Sequence, residues 1–152
     1  MIKLEEIEKL VAEGEDIEDV LKIFGWKEFE EVVSEILERN GFKVKKNFRF
    51  KVDRKYEVDI LAYKGDLVLC IDCKKWSSGR YKKSGIRKSV ELNEKRVKAL
   101  KEFLGEKFRA SRFLSLIVTL LDEDLVLENK TLIIPIYKLN SFLLEVESFN
   151  LD

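Results

Sequence analysis

The feature that most constrains the fold of this sequence is an almost uniformly apolar run at residues 113–121, Phe-Leu-Ser-Leu-Ile-Val-Thr-Leu-Leu. A strand that is apolar along both of its sides must be covered on both faces. The run is also far shorter than the roughly 20 residues that a helix needs to cross a bilayer. It therefore predicts a central strand inside a layered α/β domain.

Hydrophobic periodicity surrounds this run with helices and strands in a definite order. Asn40-Gly41 is a left-handed signal for the end of a helix, and Lys64-Gly65-Asp66 is typical of a tight turn between two strands. The elements predicted after residue 25 are a helix at 26–40, strands at 42–52, 56–63 and 67–74, a helix at 86–103, strands at 113–121 and 131–136, and a helix at 139–146.

That order of elements predicts an α/β fold in which a mixed β-sheet is flanked by helices. The helix at 86–103 is long enough to join two parallel strands by a right-handed crossover. Two short amphipathic helical patterns, at 3–13 and 17–24, lie in an acidic segment before the helix at 26–40. We therefore expect an acidic helical N-terminal extension at 1–25 and one sheet domain at 26–152.

The composition excludes several kinds of chemistry. The chain has no histidine, which rules out Ser-His-Asp and Cys-His triads and His-ligated zinc. Its two cysteines, Cys70 and Cys73, lie in one predicted strand with their side chains on opposite faces, so no disulfide framework is expected. The bias toward Lys and Glu is typical of thermophilic proteins. We expect a reduced, cytoplasmic protein without membrane association, in which catalysis relies on carboxylates and lysine.

Positive and negative charges are segregated along the chain although the formal net charge is zero. Residues 1–38 hold 13 acidic and 4 basic side chains, whereas residues 39–112 hold 23 basic and 9 acidic ones. Such a cationic segment favours a polyanionic partner, because Lys and Arg that contact phosphates release condensed counterions. The alternative is a solvated, charge-rich surface.

Two aspartates are predicted to face each other across neighbouring strands. The tight turn sets Asp59 opposite Asp72, with about 4.5–5.5 Å between their Cβ atoms. Strand alternation places Asp59 on the face opposite Val58 and Ile60, and Asp72 on the same face as Lys74. Facing carboxylates destabilise a sheet unless they are neutralised, and oxygen ligands suit Mg²⁺ or Mn²⁺. The alternative is an ion pair between Lys74 and one aspartate, without a metal.

Glu30 lies on the flank of the apolar face of the first domain helix, from which it can reach the edge of the sheet. With the two strand motifs, this pattern resembles the PD-(D/E)XK nuclease superfamily, whose core is a helix, three strands, a helix and a strand. The segments that carry the resemblance are Phe29-Glu30, Val58-Asp59-Ile60 and Ile71-Asp72-Cys73-Lys74. The segments 26–30, 40–42 and 73–76 look most similar to Mrr-type restriction endonucleases and archaeal Holliday-junction resolvases.

The resemblance implies a Mg²⁺- or Mn²⁺-dependent endonuclease that hydrolyses phosphodiester bonds, with DNA as the expected substrate. It implies that Asp59 and Asp72 bind the metal together with the backbone carbonyl of Cys73. By the same resemblance, Glu30 binds the metal directly or through water, and Lys74 is the lysine of the signature. All four charged residues are therefore candidate catalytic residues.

Two departures from the family pattern leave a second interpretation open. The signature is Asp-x-Lys rather than the commoner Glu-x-Lys, and the chain has no glutamine for the following helix, where Glu91 or Asn93 would have to serve. The alternative function is a non-catalytic nuclease-fold subunit that binds nucleic acid, or a protein partner through its acidic N-terminal helices. Those helices could instead cap the fold or support a homodimer.

Basic residues are concentrated directly after the Asp-x-Lys motif. Residues 74–101 contain 11 basic and 2 acidic side chains, which favours contacts with a nucleic-acid backbone. A second basic stripe, Lys43, Lys45, Arg49 and Lys51, shares one parity of the first strand and fits DNA contact and a protected edge strand equally well. The residues predicted to bind nucleic acid are Lys75, Arg80, Lys82, Lys83, Arg87 and Lys88.

Overall fold

The apolar run forms strand β4 (Arg112–Thr119), which lies inside a six-stranded mixed sheet. The computed structural model describes residues 4–15, 19, 25–74, 83–108, 111–120 and 125–146. The helices are α1 (Leu4–Ala12), α2 (Trp26–Arg39), α3 (Lys83–Leu104) and α4 (Ile136–Glu145), with a 3-10 turn at Glu106–Phe108. The other strands are β1 (Lys43–Lys51), β2 (Lys55–Lys64), β3 (Leu67–Lys74), β5 (Val126–Glu128) and β6 (Thr131–Pro135).

The strand order across the sheet is β1-β2-β3-β4-β6-β5. The first three strands form an antiparallel meander, β3, β4 and β6 are parallel, and β5 pairs antiparallel at the far edge. Helix α3 joins the parallel strands β3 and β4, as its length predicted. The mixed sheet flanked by helices is therefore confirmed. The sequence did not predict β5, because two of its three residues are exposed and it carries no alternating pattern.

Helices cover both faces of the sheet, so the parallel strands β3, β4 and β6 are buried along most of their length. On one face, which we call the α2 side, Leu69 and Ile71 of β3 pack in a core with α2 and α4. On the other, the α3 side, Val68 packs in a core with α3. Each fully buried aliphatic side chain of this kind stabilises the fold by about 1.5–3 kcal/mol. The predicted separation of the cysteines is confirmed, since Cys70 lies on the α3 side and Cys73 on the α2 side, both as free thiols.

The turn between β2 and β3 has the predicted register. Gly65 adopts φ +60°, a left-handed conformation that a glycine accepts without steric cost, and Lys64 pairs with Leu67. The antiparallel pairing continues to Ile60 and Ile71, one residue short of the two aspartates. The local turn therefore brings Asp59 and Asp72 to the same end of the sheet.

Strand alternation breaks where β1 and β2 approach that end. Val58 packs in the α3-side core with Phe50, whereas Ile60 packs on the α2 side. Asn47 has φ +52°, and Asn47 and Asp59 stand at the one gap in the β1–β2 pairing. The prediction that Val58 and Ile60 share a face is thus wrong, because alternation holds only along an uninterrupted strand.

The N-terminal region contains the first of its two predicted helices. Arg39 of α2 forms ion pairs with Glu5 (3.1 Å) and Glu8 (3.2 Å) of α1, and all three side chains are exposed. Exposed pairs of this kind contribute about 0–1 kcal/mol. The second predicted helix, at 17–24, lies outside the described residues. Within the described part of the chain, no helix is long and apolar enough to cross a membrane.

Candidate active site

Asp59 interacts with two other acidic residues at the end of the sheet where β2 and β3 stop pairing, with Glu30 within 4.8 Å and with Asp72 on the neighbouring strand. Glu30 comes from α2, Asp59 from β2 and Asp72 from β3. We call these residues, with Lys74, the acidic cluster. The carboxyl groups of Asp59 and Asp72 interact electrostatically, and Asp59 Oδ2 accepts a hydrogen bond from the backbone N–H of Cys73 at 3.0 Å. The structure therefore brings the predicted aspartates together.

Asp72 is the most deeply buried acidic residue of the cluster, with 5% of its surface exposed. Its Oδ2 atom is buried and makes no hydrogen bond within the described residues. Two cations stand farther off, Lys74 Nζ at 3.5 Å and Arg96 Nη1 at 3.9 Å. A buried carboxylate oxygen left without a hydrogen bond costs about 1–3 kcal/mol or more, and a hard cation would satisfy it. The donor set therefore fits a divalent metal bound through oxygen.

Burial and neighbouring carboxylates shift the ionisation of the cluster. Burial raises the pKa of Asp72 to about 7, and the interaction with Asp59 adds to the rise, while Lys74 opposes it. Burial, and then the charge of Asp59, also raise the pKa of Glu30. Both shifts have the sign expected of acidic groups that are partly removed from water and close to like charge.

Cys73 contributes a thiol in addition to the backbone carbonyl that the sequence suggested. Its Sγ atom and the carboxylate oxygens of Glu30 and Asp59 all lie within 4.8 Å of one another. The thiol is buried, and burial, followed by the charge of Asp59, raises its pKa well above the usual value. A protonated thiol is a weak ligand for Mg²⁺, so the oxygen atoms of the cluster remain its stronger donors.

Helix α3 supplies Arg96 to this site, a residue that sequence reasoning missed. The two α3 candidates from the sequence behave differently, because Glu91 is exposed and Asn93 is fully buried. Asn93 Nδ2 donates hydrogen bonds to the Cys70 carbonyl, Ser115 Oγ and the Leu116 carbonyl at 2.8–3.3 Å. Asn93 therefore has no donor left for a ligand. Three residues along the helix, Arg96 approaches both Asn93 Oδ1 and Asp72 Oδ2.

Few of the residues predicted to bind nucleic acid can be placed. Lys75, Arg80 and Lys82 lie outside the described residues, as does the side chain of Lys83, whereas Arg87 and Lys88 are exposed on the first turns of α3. On β1, the predicted stripe is not continuous. Val44 packs on the α2 side and Phe50 on the α3 side, so the basic residues before and after Asn47 face opposite sides of the sheet. These basic residues are Lys43, Lys45, Arg49 and Lys51.

Comparison with known families identifies the family of this chain. The model of the nuclease-related domain matches residues 25–120, which include α2, the first four strands and α3. The chain belongs to the nuclease-related domain family. This family is part of the PD-(D/E)XK-like nuclease superfamily, so the superfamily expected from the sequence is confirmed. The narrower likeness to Mrr-type endonucleases and resolvases is not confirmed and stays a prediction.

Two individual proteins resemble this member of the nuclease-related domain family. It is 33% identical over 119 residues to an uncharacterized protein of Archaeoglobus fulgidus, a match that covers 78% of this chain and 88% of the relative. It also resembles the crystal structure of a protein of unknown function, with 18% identity and a TM-score of 0.41. That match covers 72% of this chain, which spans about half of the length of the solved chain.

Proposed function

We propose that this chain is a metal-dependent endonuclease that hydrolyses phosphodiester bonds of DNA. The observation that carries the proposal is the meeting of Asp59 and Asp72 around a buried carboxylate oxygen that lacks a hydrogen bond, with Lys74 beside it. Membership of the nuclease-related domain family supports the same class of activity.

Asp59, Asp72 and Glu30 would hold Mg²⁺ or Mn²⁺ through carboxylate oxygens. When bound, such a cation stabilises the negative charge that develops at the phosphorus and lowers the pKa of a water molecule. The protein fixes the ligands beforehand, since the N–H of Cys73 holds one oxygen of Asp59. Preorganised ligands do not have to reorient during the reaction.

Lys74 would act on the phosphate itself. Its ammonium group lies 3.5 Å from Asp72 Oδ2 and its side chain is 36% exposed, so it can contact both the cluster and a bound substrate. An ammonium group at this position orients the attacking water by a hydrogen bond or neutralises a phosphate oxygen. Burial of Asp72 keeps competing bulk water away from that carboxylate.

A cleavage panel tests the proposal. The full chain is incubated with branched, single-stranded and duplex DNA and with RNA, in the presence of Mg²⁺ or Mn²⁺ and, in parallel, of a chelator. The inactive variant is Asp59→Asn/Asp72→Asn. The control is Ser34→Ala, which removes a buried hydroxyl of α2 that makes no hydrogen bond within the described residues.

We expect metal-dependent cleavage by the wild type and by the control, and none by the double variant. Cleavage of RNA but not DNA would show that the substrate is RNA. A preference for branched, single-stranded or duplex DNA would show which form of DNA is the substrate. A wild type that binds nucleic acid but cuts none of the substrates would leave the non-catalytic nuclease-fold subunit as the function.

A further inference from the structure

A cleft of about 290 Å³ opens beside the acidic cluster, between strand β2 and helix α3. Its lining includes Arg54, Lys55 and Tyr56 near the β1–β2 turn and Arg96 of α3. Asp59 belongs both to this lining and to the acidic cluster. The cleft is therefore continuous with the candidate active site.

The cleft presents basic side chains next to the acidic cluster, and Asp53 is an acidic neighbour of Arg54. Glu57, also in the lining, is ion-paired with Arg49 at 2.8 Å, so its negative charge is balanced. Among the residues that the structure describes, no carboxylate lies within ion-pairing distance of Arg54 or Lys55, and both side chains are exposed. The exposed side chains of Arg54 and Lys55 consequently line the same cleft as Asp59, one of the carboxylates that would hold a metal.

Arg54 is held in place by its neighbours. Its guanidinium carbon lies 5.1 Å from the centre of the Tyr56 ring, a cation–π contact. Tyr56 is in turn fixed by a hydrogen bond from its hydroxyl to Asp53 Oδ1 at 3.0 Å. A positioned guanidinium group loses less side-chain entropy when it binds a phosphate, and its planar donors match phosphate oxygens in pairs.

We propose that this cleft binds the sugar–phosphate backbone of a nucleic-acid strand on one side of the scissile phosphate. Arg54 and Lys55 contact phosphates away from the reaction centre, and Arg96 contacts the phosphate nearest to Asp72. Because phosphates carry no sequence information, the contact strengthens binding equally for all sequences. The inference rests on the proposed function, since it takes the acidic cluster as the point of cleavage.

The test measures binding of the full chain to a fluorescently labelled DNA duplex by anisotropy at several NaCl concentrations, in a chelator so that no cleavage occurs. The cleft variant is Arg54→Gln/Lys55→Gln. The matched control, Lys98→Gln/Lys107→Gln, removes the same charge at exposed positions outside the cleft.

Loss of two phosphate contacts should reduce the slope of log affinity against log salt by about 2, since each contact contributes about 0.9. The control should keep nearly the wild-type slope. A wild-type slope in the cleft variant would overturn the inference. An equal reduction of the slope in both variants would also overturn it, because such a reduction would reflect net charge alone.

Cleavage assays with Mg²⁺ separate this inference from the proposed function. A wild type that cuts no DNA, combined with a reduced slope in the cleft variant, would refute the proposed function and keep the cleft as a binding surface. Cleavage by the wild type, combined with unchanged binding and cleavage in the cleft variant, would refute the cleft and keep the nuclease. A wild type that binds no duplex even at low salt would refute the cleft as well.

Discussion

Two polar clusters lie beside helix α3, and they differ in how their hydrogen-bonding groups are used. In the first, the Asn93 amide and Thr131 hydroxyl are both bound to Ser115 Oγ at 2.8 Å, and Thr131 also donates to Glu94 at 2.7 Å. In the second, the acidic cluster, Asp72 Oδ2 makes no hydrogen bond within the described residues. The first cluster, which we call the saturated cluster, has its hydrogen bonds made within the protein and serves only to stabilise the fold. The acidic cluster is unsaturated, because it leaves a buried carboxylate oxygen that a ligand can bind.

Arg96 connects the two clusters. Its Nη1 atom lies 3.4 Å from Asn93 Oδ1 and 3.9 Å from Asp72 Oδ2. The saturated cluster thus helps to position a cation at the unsaturated one. The contrast shows that buried polar residues in one fold can serve structure or chemistry, and that the count of satisfied groups separates the two roles.

The largest expected effect is that of Asp72→Asn on catalysis. Cleavage should fall by about 10³-fold or more, because a ligand for the cation and a fixed negative charge are both lost. Stability without metal should rise by roughly 1–3 kcal/mol at pH 8, since a buried charge has been removed. Cleavage rates and thermal melts with and without Mg²⁺ measure both effects. A less stable, fully active variant would show that Asp72 belongs to a structural ion pair.

Lys74→Ala should lower cleavage by about 10²–10³-fold, the scale of one electrostatic contact to a transition state. An ammonium group is not a metal ligand, so Mg²⁺ should still stabilise this variant. At 100 times its dissociation constant, Mg²⁺ stabilises a folded protein that binds it by about 2.7 kcal/mol. The stabilisation is read from melting curves. If Mg²⁺ failed to stabilise Lys74→Ala but still stabilised Asp72→Asn, Lys74 rather than Asp72 would be required for metal binding.

Asn93→Leu, in the saturated cluster, should lower stability, whereas Asp72→Asn should raise it. It removes the donor for two backbone carbonyls and Ser115 Oγ, and each buried acceptor left unpaired costs about 1–3 kcal/mol. We expect a loss of at least about 2 kcal/mol in the free energy of unfolding, measured in urea, and no rescue by Mg²⁺. Ser34→Ala is the control, because its hydroxyl has no partner to abandon among the described residues. Mg²⁺-dependent recovery of Asn93→Leu would place Asn93 in the metal site.

The last prediction concerns the dependence of stability on pH. The pKa of Asp72 is raised to about 7 in the folded protein, so its contribution to stability is complete below pH 4 and is lost as pH rises through 7. Wild-type stability without metal should therefore fall over that range relative to Asp72→Asn. Urea titrations at pH 5 and pH 8 measure the difference. Parallel curves for the two proteins would show that Asp72 stays ionised in the folded state.

The sequence by itself determined the order of the elements, the central strand and the β2–β3 register. These features depend on local chemistry, because an apolar run must be buried on both faces and Gly65 accepts a left-handed turn. From that register, the proximity of Asp59 and Asp72 follows, and the helix periodicity gave Glu30 its direction. The two aspartates could be predicted because they lie one strand pair apart, and Lys74 because it lies two residues after Asp72 on the same strand.

Only the tertiary structure decided which further groups approach these carboxylates. The break in alternation at Asn47 and Asp59 requires two paired strands, and no property of either segment alone encodes it. The approach of Arg96, and the burial of Asn93, depend on how α3 is rotated against the sheet. That rotation is set by packing of Val97 and Leu100 into the α3-side core, which joins residues far apart in the chain.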